Sequence, residues 1–483
     1  MTDVVVVGAG PTGLALAGEL RLAGVGVVVL DRLPFASGES RGIGLTLRTT
    51  ELLDQRGLLT RFGGLETSTF GHFGGIPLDL SVLDSPFAAP RTVPQSATEA
   101  VLESRAIELG ADFRREHEVS SFSADDEHIH IEILNHDPIT ARYLVGCDGG
   151  RSIVRKIGGF DFPGTAATTE LLLADIKGVD IAPRLPGQDS VDGLVISAPL
   201  PDGTHRIIVG ERGVLPKKRT EPPSFAEVAD VWKRLTGIDI SHGEPVWVSA
   251  FGDAARLTTE YRRGRVLLAG DAAHVHLPAG GQGMNTGIQD AVNLGWKLAA
   301  VVRGTMQDDF LDSYHDERHK VGERLLTNTR AQSLFILGGE EVAPLREIMQ
   351  ELLQFPEVER HLAERVSGLD IRYDVGGGSH PLLGARFPSR SLDCNGRTVT
   401  TGELLRSGRG LLLDLADNAV IRERATRWTD RIDVLTATAT EPIDPDTRTS
   451  AVLIRPDGHV AWVAPGSHHD LPTALQRWFG PPR

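Results

Sequence analysis

Two glycine-rich stretches hold the residues of this chain whose types and spacing suit chemistry. The first is Gly8-x-Gly10-x-x-Gly13, which follows an apolar run at 4–7 and opens a segment of helical period to about Leu22. A second apolar run at 25–30 ends in Asp31. Gly8 permits a tight turn, Gly10 lets the backbone approach a pyrophosphate, and Gly13 lets the helix pack closely on its strand. The helix start offers free N–H groups and the positive end of its dipole. Asp31 stands where a carboxylate can accept hydrogen bonds from ribose hydroxyls. This is a dinucleotide site, and by itself it leaves NAD and FAD equally open.

The second stretch runs Gly270-Asp271-Ala-Ala-His274-Val-His276-Leu-Pro278-Ala-Gly-Gly281-Gln-Gly283-Met284-Asn285. A buried strand at 266–269 delivers Asp271 at its carboxyl end, where ligands sit in open α/β sheets. One Pro and three Gly then open a long helix near Gln282, presenting bare N–H groups and a partial positive charge. A reduced flavin is negative along its N1–C2=O edge, and such a helix start would stabilise it. NAD has no use for a second helix end.

The histidines admit more than one reading. His274 and His276 alternate on an extended segment beside this loop, either touching substrate or flavin or serving as satisfied structural residues. His315 and His319 are spaced i, i+4, but the acid between them is Glu317, outside the zincin pattern, so they read as a polar helix face. No metal site is expected. Arg372, with Tyr373, either polarises a substrate hydroxyl or makes a surface ion pair.

Further strands are read at 119–123, 129–134 and 143–147, the last leading to Asp148-Gly149 before Arg151-Ser152. Between that turn and Asp271 the pattern changes. Runs at 168–176, 193–199 and 205–209, a Pro201-Asp202-Gly203 hairpin turn and a strand at 246–251 read as a mixed sheet able to cover a ligand. A capping box at Ser224 and Glu227 opens a helix through Leu235. Residues 283–303 and 305–370 are helical in period, and 374–381 reads as a linker. Strands at 410–415, 431–437 and 451–455, a Pro456-Asp457-Gly458 turn, a strand at 459–463 and a helix at 471–479 make a small terminal α/β domain. No internal repeats are apparent.

With 483 residues, two or three domains are expected. A net charge of −15 without a basic stretch argues against nucleic-acid or anionic-membrane partners. The two cysteines, Cys147 and Cys394, lack both disulfide and metal spacing. The N-terminus enters a strand directly and no apolar run has spanning length, so a cytoplasmic protein is expected.

In order and spacing, Gly8–Gly13, Asp148-Gly149 and Gly270-Asp271 with the 278–285 loop resemble the three FAD motifs of the class A flavoprotein monooxygenases, typified by para-hydroxybenzoate hydroxylase. Arg41 with Arg48-Thr49-Thr50-Glu51, Pro94-Gln95 with Thr98-Glu99, and the 314–318 helix resemble further parts of that family. The tail, with 411–414 and Arg455-Pro456-Asp457-Gly458, resembles the thioredoxin-like domain of the phenol hydroxylase and aromatic polyketide hydroxylase branch. It has no Cys-x-x-Cys, so no redox role is expected there. Asp31 departs from the family's usual Glu, but the shorter acid still reaches a ribose.

The resemblance implies an α/β fold: a Rossmann-like FAD-binding domain (1–160 and 252–373), an inserted mixed-sheet substrate domain (161–251) and a thioredoxin-like C-terminal domain (374–483). It implies that Gly8, Ala9, Gly10, Pro11, Thr12 and Gly13 hold the pyrophosphate, with Asp31 and Arg32 at the adenine ribose and Val119 also among the cofactor contacts. Arg41 and Gln95 would meet the phosphate and sugar region, Asp148 and Gly149 both FAD and a transient NADPH, and Asp271 the ribityl or pyrophosphate. Pro278, Gly281, Gly283, Met284 and Asn285 would lie along the isoalloxazine. His276, the Pro278 backbone and Arg372 are the candidates for catalysis.

The reaction implied is flavin reduction by NADPH (or NADH), then O₂ capture as a C4a-hydroperoxide that hydroxylates a phenolic polycyclic aromatic of polyketide type. Baeyer–Villiger insertion and antibiotic inactivation remain open on the same scaffold. An NAD-dependent dehydrogenase and a non-catalytic FAD protein are the readings from other classes. A small aromatic molecule is the expected partner, and the protein is expected to be a monomer or homodimer.

Overall fold

The computed structural model describes the chain except residues 65–66, 88–89, 185–191, 201–202, 441–442, 444–448 and 483. Its central sheet is built on Thr2–Val7, which pairs in parallel with Val27–Leu30 on one side and His136–Gly146 on the other. Asp112–Arg114 and Val266–Leu268 extend the parallel order outward. Val4, Val5 and Val6 are wholly buried, as expected of a parallel strand covered on both faces. Five parallel strands therefore end at one edge, and the turns carrying Gly8, Asp31, Asp148 and Gly270 leave from four of them there. That edge is where open α/β sheets bind ligands.

Two helices meet there. Pro11–Leu22 follows the glycine turn, and Gln282–Val302 lies against it. The contact is close because it has no side chain in the way: a Cβ at Gly295 would sit 2.5 Å from the Glu19 Cβ. The period read at 305–370 is not one helix but Asp312–Leu337, Ala343–Leu352 and Pro356–Ser367. Gly338 and Gly339 interrupt it, and Pro356 takes the first helical position, where its missing N–H costs nothing.

The inserted sheet differs from the mixed one expected. Its strands lie in the order Gly193–Pro199, His205–Glu211, Glu170–Lys177, Glu244–Gly252, and every pairing is antiparallel. It is covered on one face by the helix Phe225–Thr236, opened by Ser224 as expected, so no parallel crossover is needed. Pro201 and Asp202 of the expected hairpin turn lie outside the described residues; the strands on either side do pair. One hairpin not read from the sequence, Phe70–Phe73 with Ile76–Asp79, packs on Pro356–Ser367.

The C-terminal sheet runs Ile432–Thr436, Gly410–Asp414, Ala451–Ile454, Val460–Ala464. The first pair is parallel and the others antiparallel, with Leu471–Phe479 packed against them, the arrangement of a thioredoxin-like core. Residues 374–381 are not a free linker. Val375 and His380 are buried, and bridges join Arg372 to Ala385 and Gly378 to Ser467. Among the described residues, no helix is long and apolar enough to cross a membrane.

Candidate cofactor and substrate site

Backbone geometry at the opening turn accounts for each glycine. Gly8 has φ +104°, and a Cβ there would lie 2.4 Å from the Cys147 carbonyl oxygen and 2.9 Å from the Asp148 Cα. A Cβ at Gly13 would lie 2.0 Å from the Gly8 carbonyl oxygen. At Gly10 a Cβ would meet nothing within 4 Å, so that face of the turn is open. Pro11 is the first helical residue. The Asp31 carboxylate accepts from Ala9 N–H at 2.7 Å and Leu33 N–H at 2.8 Å, which leaves lone pairs for hydroxyl donors. Arg32 is exposed. His117 N–H donates to the Asp31 carbonyl, so the segment entering Val119 runs beside Asp31; the Val119 side chain itself is in the core.

The second motif abuts the first. Asp148 Oδ2 accepts from Ile153 N–H (2.6 Å) and Val154 N–H (3.2 Å), capping a short helix, while its Oδ1 is buried with no partner. Gly149 is left-handed, with open space at its Cβ position. Arg155, not singled out from the sequence, donates to Ala272 O and Gly150 O at 2.8 and 2.7 Å and tethers the second motif to the third. Its only sequence signal was its place just after Asp148-Gly149.

Thr12 is where the first and third motifs meet. A Cβ at Gly270 would lie 2.5 Å from Thr12 Oγ1, and one at Gly287 2.3 Å from the same atom. Gly280 and Gly281 are both left-handed, and Gln282–Val302 begins with no side-chain cap. Its first N–H groups therefore carry the positive end of the dipole unmasked. Met284 comes within van der Waals reach of Gly42 and the Gln95 amide lies there too, with Gln95 Oε1 accepting from Gly42 N–H at 3.2 Å. The Asn285 side chain is turned into the protein: it accepts from Thr46 N–H and donates to Gly44 O and Gly281 O. Only its backbone belongs to the helix start. Arg41 points outward beside Glu39.

Of the catalytic candidates, His276 and Pro278 stay with the loop. A Cβ at Gly283 would be 3.5 Å from His276 Nε2 and 4.0 Å from Asp271 Oδ1, so these three residues adjoin. His276 Nδ1 donates to the Leu277 carbonyl at 2.7 Å, which leaves Nε2 as the acceptor. Burial lowers the His276 pKa, so the ring is neutral at pH 7. Pro278 is exposed, and its carbonyl accepts from Gly281 N–H. Arg372 is corrected: it is exposed and donates to Leu383 O and Pro381 O, so its guanidinium secures the 374–384 segment instead of a substrate. His274 is structural, wholly buried and paired with Asp290 at 2.8 Å. His315 and His319 are partly buried: both rings pack on buried Tyr261, while His315 Nδ1 accepts from Tyr261 N–H and His319 Nε2 donates to Thr258 O. Among the described residues there is no cluster suited to a metal ion.

The uncovered face of the antiparallel sheet turns to this loop. Leu171 and Leu194, with Ile196, Ile208 and Phe251 partly buried, pack against Leu277, Ala279 and Ile336. In the next row Arg206 is held by Asp175 at 2.7 and 2.8 Å and donates to the Arg41 carbonyl at 3.3 Å. Trp247 Nε1 donates to the same carboxylate at 2.6 Å. The sheet is thus an apolar roof with one charged anchor.

These features define the class. Residues 1–329 match the FAD binding domain family, and residues 380–482 match the C-terminal domain of aromatic-ring hydroxylases. The chain belongs to the FAD-binding aromatic-ring hydroxylases and is an FAD-dependent monooxygenase. It is 41% identical to a rifampicin monooxygenase of Streptomyces venezuelae over 493 residues, with 99% of each chain covered. Among solved structures it resembles BexE, studied for oxidation during BE-7585A biosynthesis, at 62% identity and TM-score 0.96. It also resembles CabE, an aromatic hydroxylase from angucycline biosynthesis, at 57% identity and TM-score 0.97. Both matches cover 100% of each chain.

Proposed function

We propose that the chain hydroxylates a phenolic polycyclic aromatic of polyketide type, consuming NAD(P)H and O₂. The observation that carries this is the junction of three glycine turns, Gly8 against Asp148 and Thr12 against Gly270, beside an uncapped helix start and beneath an apolar sheet. The residues fit FAD: the open face at Gly10 suits a pyrophosphate, and Asp148 Oδ1 is a buried acceptor lacking a donor. Bound FAD would accept hydride from NAD(P)H and activate O₂, so the hard chemistry belongs to the cofactor.

The chain supplies position and charge. The Pro11–Leu22 start and Gly10 hold the pyrophosphate, Asp31 takes the ribose, and the Gln282–Val302 start stabilises negative charge at the ring's N1–C2=O edge. Gln95 and Met284 fix the ring's flank. His276, neutral with Nε2 free, offers an acceptor beside Asp271 and Gly283. The roof of Leu171, Leu194 and Phe251 excludes water and accepts a flat apolar ligand. The relatives' substrates support a large multi-ring phenol.

The test is anaerobic reduction of the purified protein by NADPH and by NADH across a panel of polyketide phenols, followed by aerobic turnover and product structure. One added oxygen with the ring size kept, at a rate raised by substrate, supports hydroxylation. A ring-expanded lactone would replace it with Baeyer–Villiger oxygenation. No reduction by either nucleotide with any phenol would sink the proposal.

A further inference from the structure

Among the contacts of the C-terminal domain with the rest of the chain is a buried turn, 455–458. Arg455 and Asp457 are almost wholly buried, as is the adjoining His459. Arg455 forks onto Glu317 at 2.6 and 2.8 Å, and Glu317 also receives Lys297 (2.7 Å) and Asn293 (2.8 Å) from Gln282–Val302. Asp457 accepts from Asn293 and Trp296, and its carbonyl accepts from Arg48 at 2.6 Å.

Two paths lead from this turn to the flavin loop. Arg48 lies on Leu47–Gln55, and the neighbouring Thr46 and Thr49 hold Asn285. The other path runs through Tyr373, whose ring packs on His459 (centroids 4.2 Å apart) and faces Arg455. The Tyr373 hydroxyl accepts from Arg318 Nη1 at 2.9 Å. Arg318 donates to Asp290 Oδ1 at 2.6 Å and to Thr286 O at 3.2 Å. Asp290 Oδ2 accepts from Gly270 N–H at 3.1 Å and pairs with His274.

We propose that the C-terminal domain is a positioning device for the flavin end of the cofactor site, acting through Tyr373 and Arg318 on Asp290 and the 270–276 loop. Buried ion pairs add little stability over apolar packing of the same volume. What a fully engaged set does supply is a fixed geometry: every arm of Arg318 is directed, and both oxygens of Asp290 are taken.

The inference rests on the FAD placement proposed above. Its test is Tyr373→Phe, which deletes one hydroxyl. Titration of the apoprotein with FAD should show affinity weakened about tenfold, the loss of one hydrogen bond to a charged group, with an altered visible spectrum of the bound flavin. Asp290→Asn should weaken FAD as well, and the double variant should bind no more weakly than Asp290→Asn alone. Trp462→Phe, whose indole bonds only within the C-terminal domain, should lower the melting temperature while leaving FAD affinity and spectrum unchanged. Wild-type FAD affinity in Tyr373→Phe, or losses that multiply in the double variant, would overturn the inference. So would a Trp462→Phe protein that loses FAD equally. If Gly10→Ala also binds FAD normally, the placement itself fails; if only Tyr373→Phe does, the failure is confined to this inference.

Discussion

A methyl group added at Gly10 enters open space, whereas one added at Gly13 lies 2.0 Å from a carbonyl oxygen. The two positions should therefore fail in different ways. Gly10→Ala should keep the apoprotein's melting temperature close to wild type while FAD binding weakens by about 1–3 kcal/mol, since the methyl fills the pyrophosphate's space. Gly13→Ala should lower the apoprotein's melting temperature before any cofactor is added. Thermal melts with and without FAD separate them, and equal losses of apoprotein stability would refute the assignment of Gly10 to the ligand. These glycines were legible in the sequence because the backbone demands them wherever phosphate meets a helix start. Arg372 was misread because an arginine's reach says nothing about its direction, and here the nearest acceptors were the carbonyls of Pro381 and Leu383.

Between elements, the controlling contact is the wedge of Thr12 between Gly270 and Gly287. Gly287→Ala should drive Gln282–Val302 away from Pro11–Leu22, costing about 1–3 kcal/mol by overpacking. Thr12→Ala removes the Oγ1 that the new methyl strikes, so the double variant should recover at least about 1 kcal/mol over Gly287→Ala. Chemical denaturation of the three variants measures this; additive losses would show that the helices do not meet at this point. Element types were readable from periodicity and from Ser224, which caps as expected. Two things were not. The period at 305–370 ran straight through Gly338-Gly339, and the inserted sheet's directions depend on chain connections that apolar alternation does not encode.

Across the whole molecule, the buried charges between domains should make it acid-sensitive. Burial pushes the His459 pKa from 6.5 down to about 3, against the opposing pull of Asp457. The unfolded chain takes up that proton below about pH 6.5 and the folded chain does not, so stability falls as pH drops from 6.5 toward 3. Burial opposes ionisation of Glu317, but the Arg455 and Lys297 charges outweigh it and hold its pKa at about 2 instead of 4.5; its contribution is present above pH 4.5 and is lost only below it. Between pH 6.5 and 4.5 the melting temperature should thus fall less steeply in His459→Gln than in wild type, where His459 alone accounts for up to about 1.4 kcal/mol per pH unit. Parallel curves would contradict this. The domain union itself was illegible: Pro456-Asp457-Gly458 reads as a hairpin turn, and only the fold reveals that Glu317, Asn293 and Arg48 receive it.

That union limits how such chains can be recombined. A terminal module whose turn bonds Arg48, Arg56, Asn293, Trp296 and Glu317 of its host cannot be exchanged as a free-standing cassette. Chimeras swapping 380–482 among relatives should fold and hold FAD when the recipient keeps Arg48, Arg56, Asn293, Trp296 and Glu317. They should lose the flavin when it does not, whatever the identity elsewhere. Compatibility, on this view, is inherited in matched halves, and the partner set predicts which crosses succeed better than sequence similarity does.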